Sequence, residues 1–211
     1  RVNLKIQDGC NFYCSFCIIP FARGPARSRD YENIIEDAKS LINLGVKEII
    51  LTGINLGTYH HNGKNFYELL IAILELSPKT RIRISSIEPT TIDEEIIQIW
   101  KKYPNFCKYL HLPIQSGTDT ILKKMRRKYS TTEFHKFINK VKQEIPEICI
   151  GTDIIVGFPG ETTALFDSTY KALENSVINY FHVFSYSERK MAHSRKFENN
   201  IDPKEIKKRS L

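Results

Sequence analysis

The chain has 211 residues, 41% of them hydrophobic, and carries 31 Lys and Arg against 24 Asp and Glu, a formal net charge of +7. The length suits one domain with a sizeable core, and no run reaches the roughly 18–20 apolar residues that span a bilayer. Five cysteines, an odd and clustered set, exclude a disulfide framework and point to a reducing, cytoplasmic setting, while the positive surplus is a modest pointer toward a polyanionic partner.

In chain order, "NLKIQ" (3–7) alternates as a strand and runs into a cysteine loop. No signal peptide precedes it, and the missing initiator Met reads as a piece of a longer protein. "ENIIEDAKSLINLG" (32–45) has helical spacing and stops at Gly45, and "KEIILTGIN" (47–55) is a short buried strand. "GTYHHNGKN" (57–65) is the least structured stretch, before a helix "NFYELLIAILEL" (65–76). "RIRISS" (81–86) is a strand, and "TIDEEIIQIWKKY" (91–103) a helix with acids in its first turn. "KYLHLPIQSG" (108–117) is a strand, followed by helices over 118–127 and 131–145, the second with Thr131 or Thr132 available as its cap. "CIGTDIIVGFPG" (149–160) is a strand, "TALFDSTYKALENS" (163–176) a helix and "NYFHVFSYS" (179–187) a final strand. "DPKEIKKRSL" (202–211) opens another helix, with Asp202 as cap and Pro203 at its first position.

Six strands alternating with helices read as βα units around a parallel sheet. That is two units short of a (β/α)8 barrel, so the fold class is α/β, with a partial barrel or a doubly wound sheet both open. The polar and glycine-rich residues gather where strands end: Asp8–Cys17, Thr52–Gly57, Ser85–Glu88, Gln115–Gly117, Gly157–Glu161 and Ser185–Arg189. In parallel α/β folds those carboxyl ends form the ligand face, which favours the barrel and puts every candidate for chemistry on one rim.

Cys10, Cys14 and Cys17 fall within eight positions of that rim. Four thiolates would complete a zinc site, but Cys107 and Cys149 precede strands at the opposite end, where they read as unreactive thiols, and His60 and His61 lie in a separate loop. The alternative is a 4Fe–4S cluster with one iron left without a protein ligand, free to bind a substrate or cofactor. Zinc and a cluster both stay open on spacing alone.

The C-x3-C-x2-C spacing resembles the signature of radical S-adenosylmethionine enzymes. "GCNFYCSFCIIPFARGPARSR" (9–29), "LTGINLGTY" (51–59), "RISSIEP" (83–89), "HLPIQSGTDTILKKMRRKYS" (111–130) and "GTDIIVGFPGET" (151–162) resemble its methylthiotransferase branch. Within it, "KIQDGC", "SSIEP" and "HVFSYSER" are most similar to bacterial enzymes acting on threonylcarbamoyl-adenosine at position 37 of tRNA. Relatives in the branch act on isopentenyl-adenosine in tRNA or on a ribosomal-protein aspartate. The resemblance implies a partial (β/α)6 TIM-like barrel of parallel strands, with residues 1–211 as the radical SAM core. An N-terminal domain holding a second 4Fe–4S cluster, and a C-terminal RNA-binding β-barrel, would lie outside this chain. A zinc-stabilised nucleic-acid-binding module is the non-enzymatic alternative.

The resemblance further implies that Cys10, Cys14 and Cys17 ligate the cluster, with Asn11 or nearby N–H groups tuning it. Its open iron would chelate S-adenosylmethionine, whose reductive cleavage yields a 5′-deoxyadenosyl radical that activates carbon 2 of the adenine, and a second S-adenosylmethionine would supply the methyl group. Phe16 would cover the adenine of the cofactor, Gly53 and Asn55 would face its amino group, and Glu88, Gln115 and Ser116 its ribose or methionyl part, with Gly157 as a backbone platform. Arg23, Arg27 and Arg29, and a second basic run containing Arg126 and Arg127, would meet RNA phosphates, one of these arginines holding the cofactor carboxylate instead. Tyr186 and Arg189 would face the substrate base. His111 has no ligand-like spacing and is expected in the core or at the surface. The partners implied are the tRNA anticodon loop and an electron donor such as flavodoxin or ferredoxin, with no membrane.

Overall fold

A computed structural model describes all 211 residues. Six strands run in parallel: β1 (Val2–Lys5), β2 (Glu48–Thr52), β3 (Arg81–Ile84), β4 (Tyr109–His111), β5 (Cys149–Val156) and β6 (Tyr180–Ser185). Eight helices separate or follow them: α1 (Ile19–Arg23), α2 (Tyr31–Asn43), α3 (Phe66–Leu76), α4 (Glu95–Lys102), α5 (Asp119–Lys124), α6 (Thr131–Glu144), α7 (Thr163–Glu174) and α8 (Pro203–Arg209). The ladders join β1–β2–β3 and β4–β5–β6 into two three-stranded sheets. A parallel bridge from Ile82 to Phe106, just ahead of β4, links the two. No ladder joins β6 back to β1, so the sheet curls into a partial barrel with two free edges.

The core forms where one face of the sheet meets the helices. Leu4, Ile49, Ile82, Leu110 and Ile150 share one apolar cluster with Ile34 and Ala38 of α2, Leu70 and Ile73 of α3, Ile96 of α4 and Ile138 of α6. Trp100 stacks on Phe106 at 5.1 Å and donates its indole N–H to the carbonyl of Cys107, which seals the amino end of β4. No helix is long and apolar enough to cross a membrane.

Local chemistry sets the boundaries, and several differ from the periodicity. Helix α6 is capped by Ser130 rather than Thr131 or Thr132: Ser130 and Glu133 form a capping box, because only Ser130 stands three residues before a glutamate that can reach back. Strand β4 ends at His111 instead of continuing to Gly117. Pro113 has no N–H to give, the Ile114 N–H turns to the Thr152 hydroxyl at 2.9 Å, and Gln115 takes a left-handed φ of 71°. The 57–65 stretch is ordered: His60–His61 pairs with Lys64–Asn65 across Asn62 and Gly63, both at positive φ. That is the Asn-Gly hairpin signal, followed by a capping box on α3 from Asn65 and Glu68. Helix α1 and the short strand Arg27–Ser28, which pairs antiparallel with Gln7–Asp8, lie outside the predicted elements. Helix α8 starts as expected, with Asp202 accepting from the Lys204 N–H. Its Arg209 reaches the buried Glu161 carboxylate at 2.9 Å, which docks the helix beside the end of β5.

Candidate active site

The loop that carries the three cysteines begins with a forced turn. Gly9 has φ +70°, and a Cβ there would lie 2.0 Å from the Pro25 carbonyl oxygen. Only glycine lets the outgoing and returning chains approach this closely. The Cys10 N–H then donates to the Gly24 carbonyl at 3.2 Å. Asp8 fixes the base of the same loop by accepting from Lys5, Arg23 and Arg27 at 2.6–2.9 Å. Those bonds, Arg23 foremost, hold its carboxyl well below the usual carboxylate range. Further along, Ser15 is fully buried and donates through its hydroxyl to the Lys124 carbonyl at 2.8 Å, and its N–H reaches the Met125 carbonyl. The loop is thus tied at both ends, to the 24–27 return and to the turn after α5.

Between those ties the three cysteines, all half-buried and free of disulfides, line one cavity of about 190 Å³. Its other walls come from the carboxyl ends of three further strands: Asn55 after β2, Glu88 after β3, Gln115 after β4, with Phe16 and Arg127 closing it. Arg127 organises the floor. Its Nη1 donates to Cys14 Sγ at 3.2 Å, its Nη2 reaches both Glu88 oxygens at 2.8 and 2.6 Å, and its Nε donates to the Tyr129 hydroxyl at 2.9 Å. The Arg127 side chain is 4% exposed. Burial works against its charge, but Tyr129, Glu88 and Cys14 outweigh it and hold the guanidinium above an ordinary arginine. Burial pushes the Glu88 carboxyl up, against the pull of Arg127. Burial likewise pushes the Cys14 and Cys17 thiols up, opposed by Arg127 at Cys14 and by the Ile19 N–H at Cys17.

The expected residues are divided by this geometry. Cys10, Cys14, Cys17, Phe16, Asn55, Glu88 and Gln115 meet in the one cavity. Gly53 abuts Gln7, whose atoms would lie 3.1 Å from a Cβ there. Ser116 is fully buried near the Thr118 and Thr169 hydroxyls, outside the cavity lining. Gly157 faces Ile206 of α8 and donates its N–H to Glu161 at 2.7 Å. Arg127 is not a surface residue for phosphate: the turn after α5 buries it, while Arg126, at φ 59°, is exposed. Arg23 and Arg27 bond Asp8 and Arg29 bonds Asp37, so the first basic run braces the loop while its side chains stay 37–57% exposed. Asn11 accepts from the Ala26 N–H and braces the return. Tyr186 and Arg189 line a second pocket of about 300 Å³ that shares Phe16 and Gln115 with the first.

One participant escaped the sequence reading. Gln7 is 1% exposed; its Oε1 accepts from the N–H groups of Ile54 and Asn55, and its Nε2 donates to the carbonyls of Asp8 and Gly9. It ties the end of β2 to the start of the cysteine loop. The only signal was a polar residue closing an apolar strand.

A three-thiol loop at the carboxyl rim of an open parallel barrel defines an α/β domain with a cysteine-lined cavity at its ligand face. Comparison with known proteins is consistent with this. Residues 4–173 match the model of the radical SAM superfamily, and the chain belongs to that superfamily. It is 44% identical over 205 residues to the threonylcarbamoyladenosine tRNA methylthiotransferase MtaB of Bacillus subtilis, covering 96% of this chain and 46% of that protein. It is 39% identical over 207 residues to a tRNA-2-methylthio-N(6)-dimethylallyladenosine synthase of Lawsonia intracellularis, covering 94% of this chain and 45% of that protein. The chain therefore spans about half the length of these relatives. Among solved structures it resembles the coproporphyrinogen III oxidase HemN of Escherichia coli, a radical SAM enzyme, with a TM-score of 0.70 at 16% identity over 96% of this chain and 48% of that one. It also resembles the radical S-adenosylmethionine methyltransferase TsrM of Kitasatospora setae, with a TM-score of 0.71 at 16% identity over 87% of this chain and 35% of that one. At that identity the likeness is one of fold.

The superfamily implies a 4Fe–4S cluster and S-adenosylmethionine, and the donor set fits. Three soft thiols line one cavity, the ligand type that iron–sulfur clusters take. His60 and His61 sit in the α3 hairpin, where His61 accepts from the Tyr31 N–H.

Proposed function

We propose that this chain is the radical SAM part of a tRNA methylthiotransferase acting at carbon 2 of threonylcarbamoyl-adenosine at position 37. The observation that carries the reading is the convergence of Cys10, Cys14 and Cys17 on a cavity whose remaining polar groups are Asn55, Ser86, Gln115 and the Glu88–Arg127 pair. In this reading the three cysteines hold the cluster. When bound, it supplies the electron that cleaves the sulfonium of S-adenosylmethionine.

The chain's own residues set the conditions for that chemistry. Cys14 and Cys17, pushed up by burial, must lose their protons to bind metal, and Arg127 offsets the resulting negative charge at 3.2 Å from Cys14. Phe16, Ile54, Ile87 and Pro113 give the cavity apolar walls that exclude water. Gln115 and Asn55 add polar side chains to its walls. The sulfur-donating second cluster, the RNA-binding module and the docking of a flavodoxin- or ferredoxin-type donor belong to the remainder of the full-length protein, which would work in the cytoplasm on the anticodon loop. The 39% identity to a dimethylallyladenosine synthase supports a second reading, in which the substituent on the adenine is the hydrocarbon one.

Two measurements test the proposal. Anaerobic reconstitution with iron and sulfide should give a brown protein whose visible absorption is lost in Cys14→Ala; stoichiometric zinc without colour would favour a non-catalytic nucleic-acid module. Mass spectrometry of tRNA nucleosides from cells lacking the full-length protein should show loss of the methylthio form of threonylcarbamoyl-adenosine. Its persistence, with loss of the methylthio dimethylallyl form, would transfer the assignment to the second reading.

A further inference from the structure

The inner face of β4, β5 and β6 carries a polar chain that the cluster cavity does not use. His182 stands opposite Asp153 in the parallel register, and His111 opposite Gly151. His111 Nε2 and His182 Nδ1 both bond the same carboxylate oxygen, Asp153 Oδ1, at 3.0 and 3.1 Å. The other nitrogen of His111 is held by the Tyr180 hydroxyl at 2.9 Å, which in turn meets the Tyr109 hydroxyl at 2.5 Å. This arrangement depends on Gly151: a Cβ there would lie 2.0 Å from the Tyr180 ring, which crosses β5 at that point.

The chain is anchored at one end and open at the other. The His111 side chain is 4% exposed, Asp153 22% and His182 56%. Both histidines end on Oδ1, so Oδ2 of Asp153 and Nε2 of His182 remain for a ligand. Asp153 lines the pocket of about 300 Å³ together with Gln115, Ser185, Tyr186 and Arg189. Arg189 is the one Lys or Arg of that lining, and the ion pairs of the structure do not include it. Phe16 and Gln115 belong to this pocket and to the cysteine cavity alike, so an occupant here lies next to the cofactor cavity.

We propose that this pocket is the subsite for a polar, carboxylate-bearing substituent on the substrate base, with Arg189 as its cation and Asp153, held from behind by His111 and His182, as its hydrogen-bonding group. The inference rests on the methylthiotransferase reading and deepens it by assigning the groups that choose the substrate. A dimethylallyl group is a hydrocarbon; it would bury a carboxylate and a guanidinium without satisfying either of them. A threonylcarbamoyl group offers a carboxylate to Arg189, and an N–H or a hydroxyl to Asp153 Oδ2.

The test uses the full-length protein, reconstituted with iron and sulfide, and two anticodon-arm RNAs. One carries threonylcarbamoyl-adenosine; the other is identical except that the threonyl carboxylate is a primary amide. The wild type should prefer the acid by about tenfold or more in kcat/KM, and Arg189→Met should bring the two within about twofold, with part of the preference regained in Arg189→Lys. His182→Phe should raise KM for the acid RNA by roughly fivefold or more, with kcat much less affected. The subsite is overturned if Arg189→Met keeps the wild-type preference, if it lowers both RNAs in parallel as a merely structural lesion would, or if His182→Phe leaves KM unchanged. A wild type that ignores both RNAs and modifies a dimethylallyl-adenosine RNA overturns the substrate reading as well, so the two failures are told apart by the wild type alone.

Discussion

Arg127 shows how much one side chain can hold in place. It touches a cysteine sulfur, a buried carboxylate and a tyrosine hydroxyl while itself almost wholly buried. Arg127→Met should cost about 3–5 kcal/mol in urea unfolding, because Glu88 is left buried and unpaired, and adding Glu88→Gln should recover much of the loss. The outcome that counts against this is an unchanged unfolding midpoint for the single variant. Gly9→Ala should cost roughly 3 kcal/mol or more, since the new methyl meets a backbone oxygen in a conformation that already disfavours it, and the amount of iron bound after reconstitution should fall with it. Wild-type stability and iron content in that variant would contradict the tight turn. The sequence marked Arg127 as a charge, yet its burial was hidden: which of five basic residues turns inward depends on the turn after α5, where Met125 is fully buried and Arg126 takes a left-handed φ.

Elements were legible where a periodic pattern met a clear stop, as in α2 before Gly45, or a cap, as in α8 after Asp202; the Asp30 cap of α2, which accepts from the Asn33 N–H, lay outside the pattern. They were misread where a side chain replaced a ladder bond, as Thr152 does beside Pro113, and where an Asn-Gly pair was taken for irregular loop. Ser130→Ala, which removes the cap of α6, should lower stability by about 1 kcal/mol by urea titration, and Thr131→Ala by much less. Between elements, Glu144 of α6 accepts from Lys101 of α4 and Lys140 of its own helix, and these bonds bring its carboxyl down to about 2. The carboxyl is lower in the folded than in the unfolded chain, so its contribution is present above the unfolded value near 4.5 and disappears as pH falls toward 2. The pair is exposed and its contribution small. Urea midpoints of wild type and Glu144→Gln should therefore differ slightly at pH 6 and converge near pH 2; a gap that widened in acid would reverse the sign of this argument.

At the level of the whole molecule, counting βα units was enough to reach six parallel strands, because each unit writes its own periodicity. What the count could not say is how the sheet ends, since closure depends on which edges pair, and no local pattern encodes that. The free edge at β6 exposes Phe181, Val183 and Phe184, by 39, 45 and 52%. An unpaired apolar edge invites another strand. The 211-residue chain by itself should show concentration-dependent association by light scattering that Val183→Lys reduces; scattering identical in the two proteins would place the contact elsewhere. The same unlaced seam between β6 and β1 has a steric meaning for what can be served at the rim. A closed ring admits only what fits down its throat, whereas a crescent leaves a doorway along its flank. A bulky folded molecule can present a single protruding group there without any strand having to part.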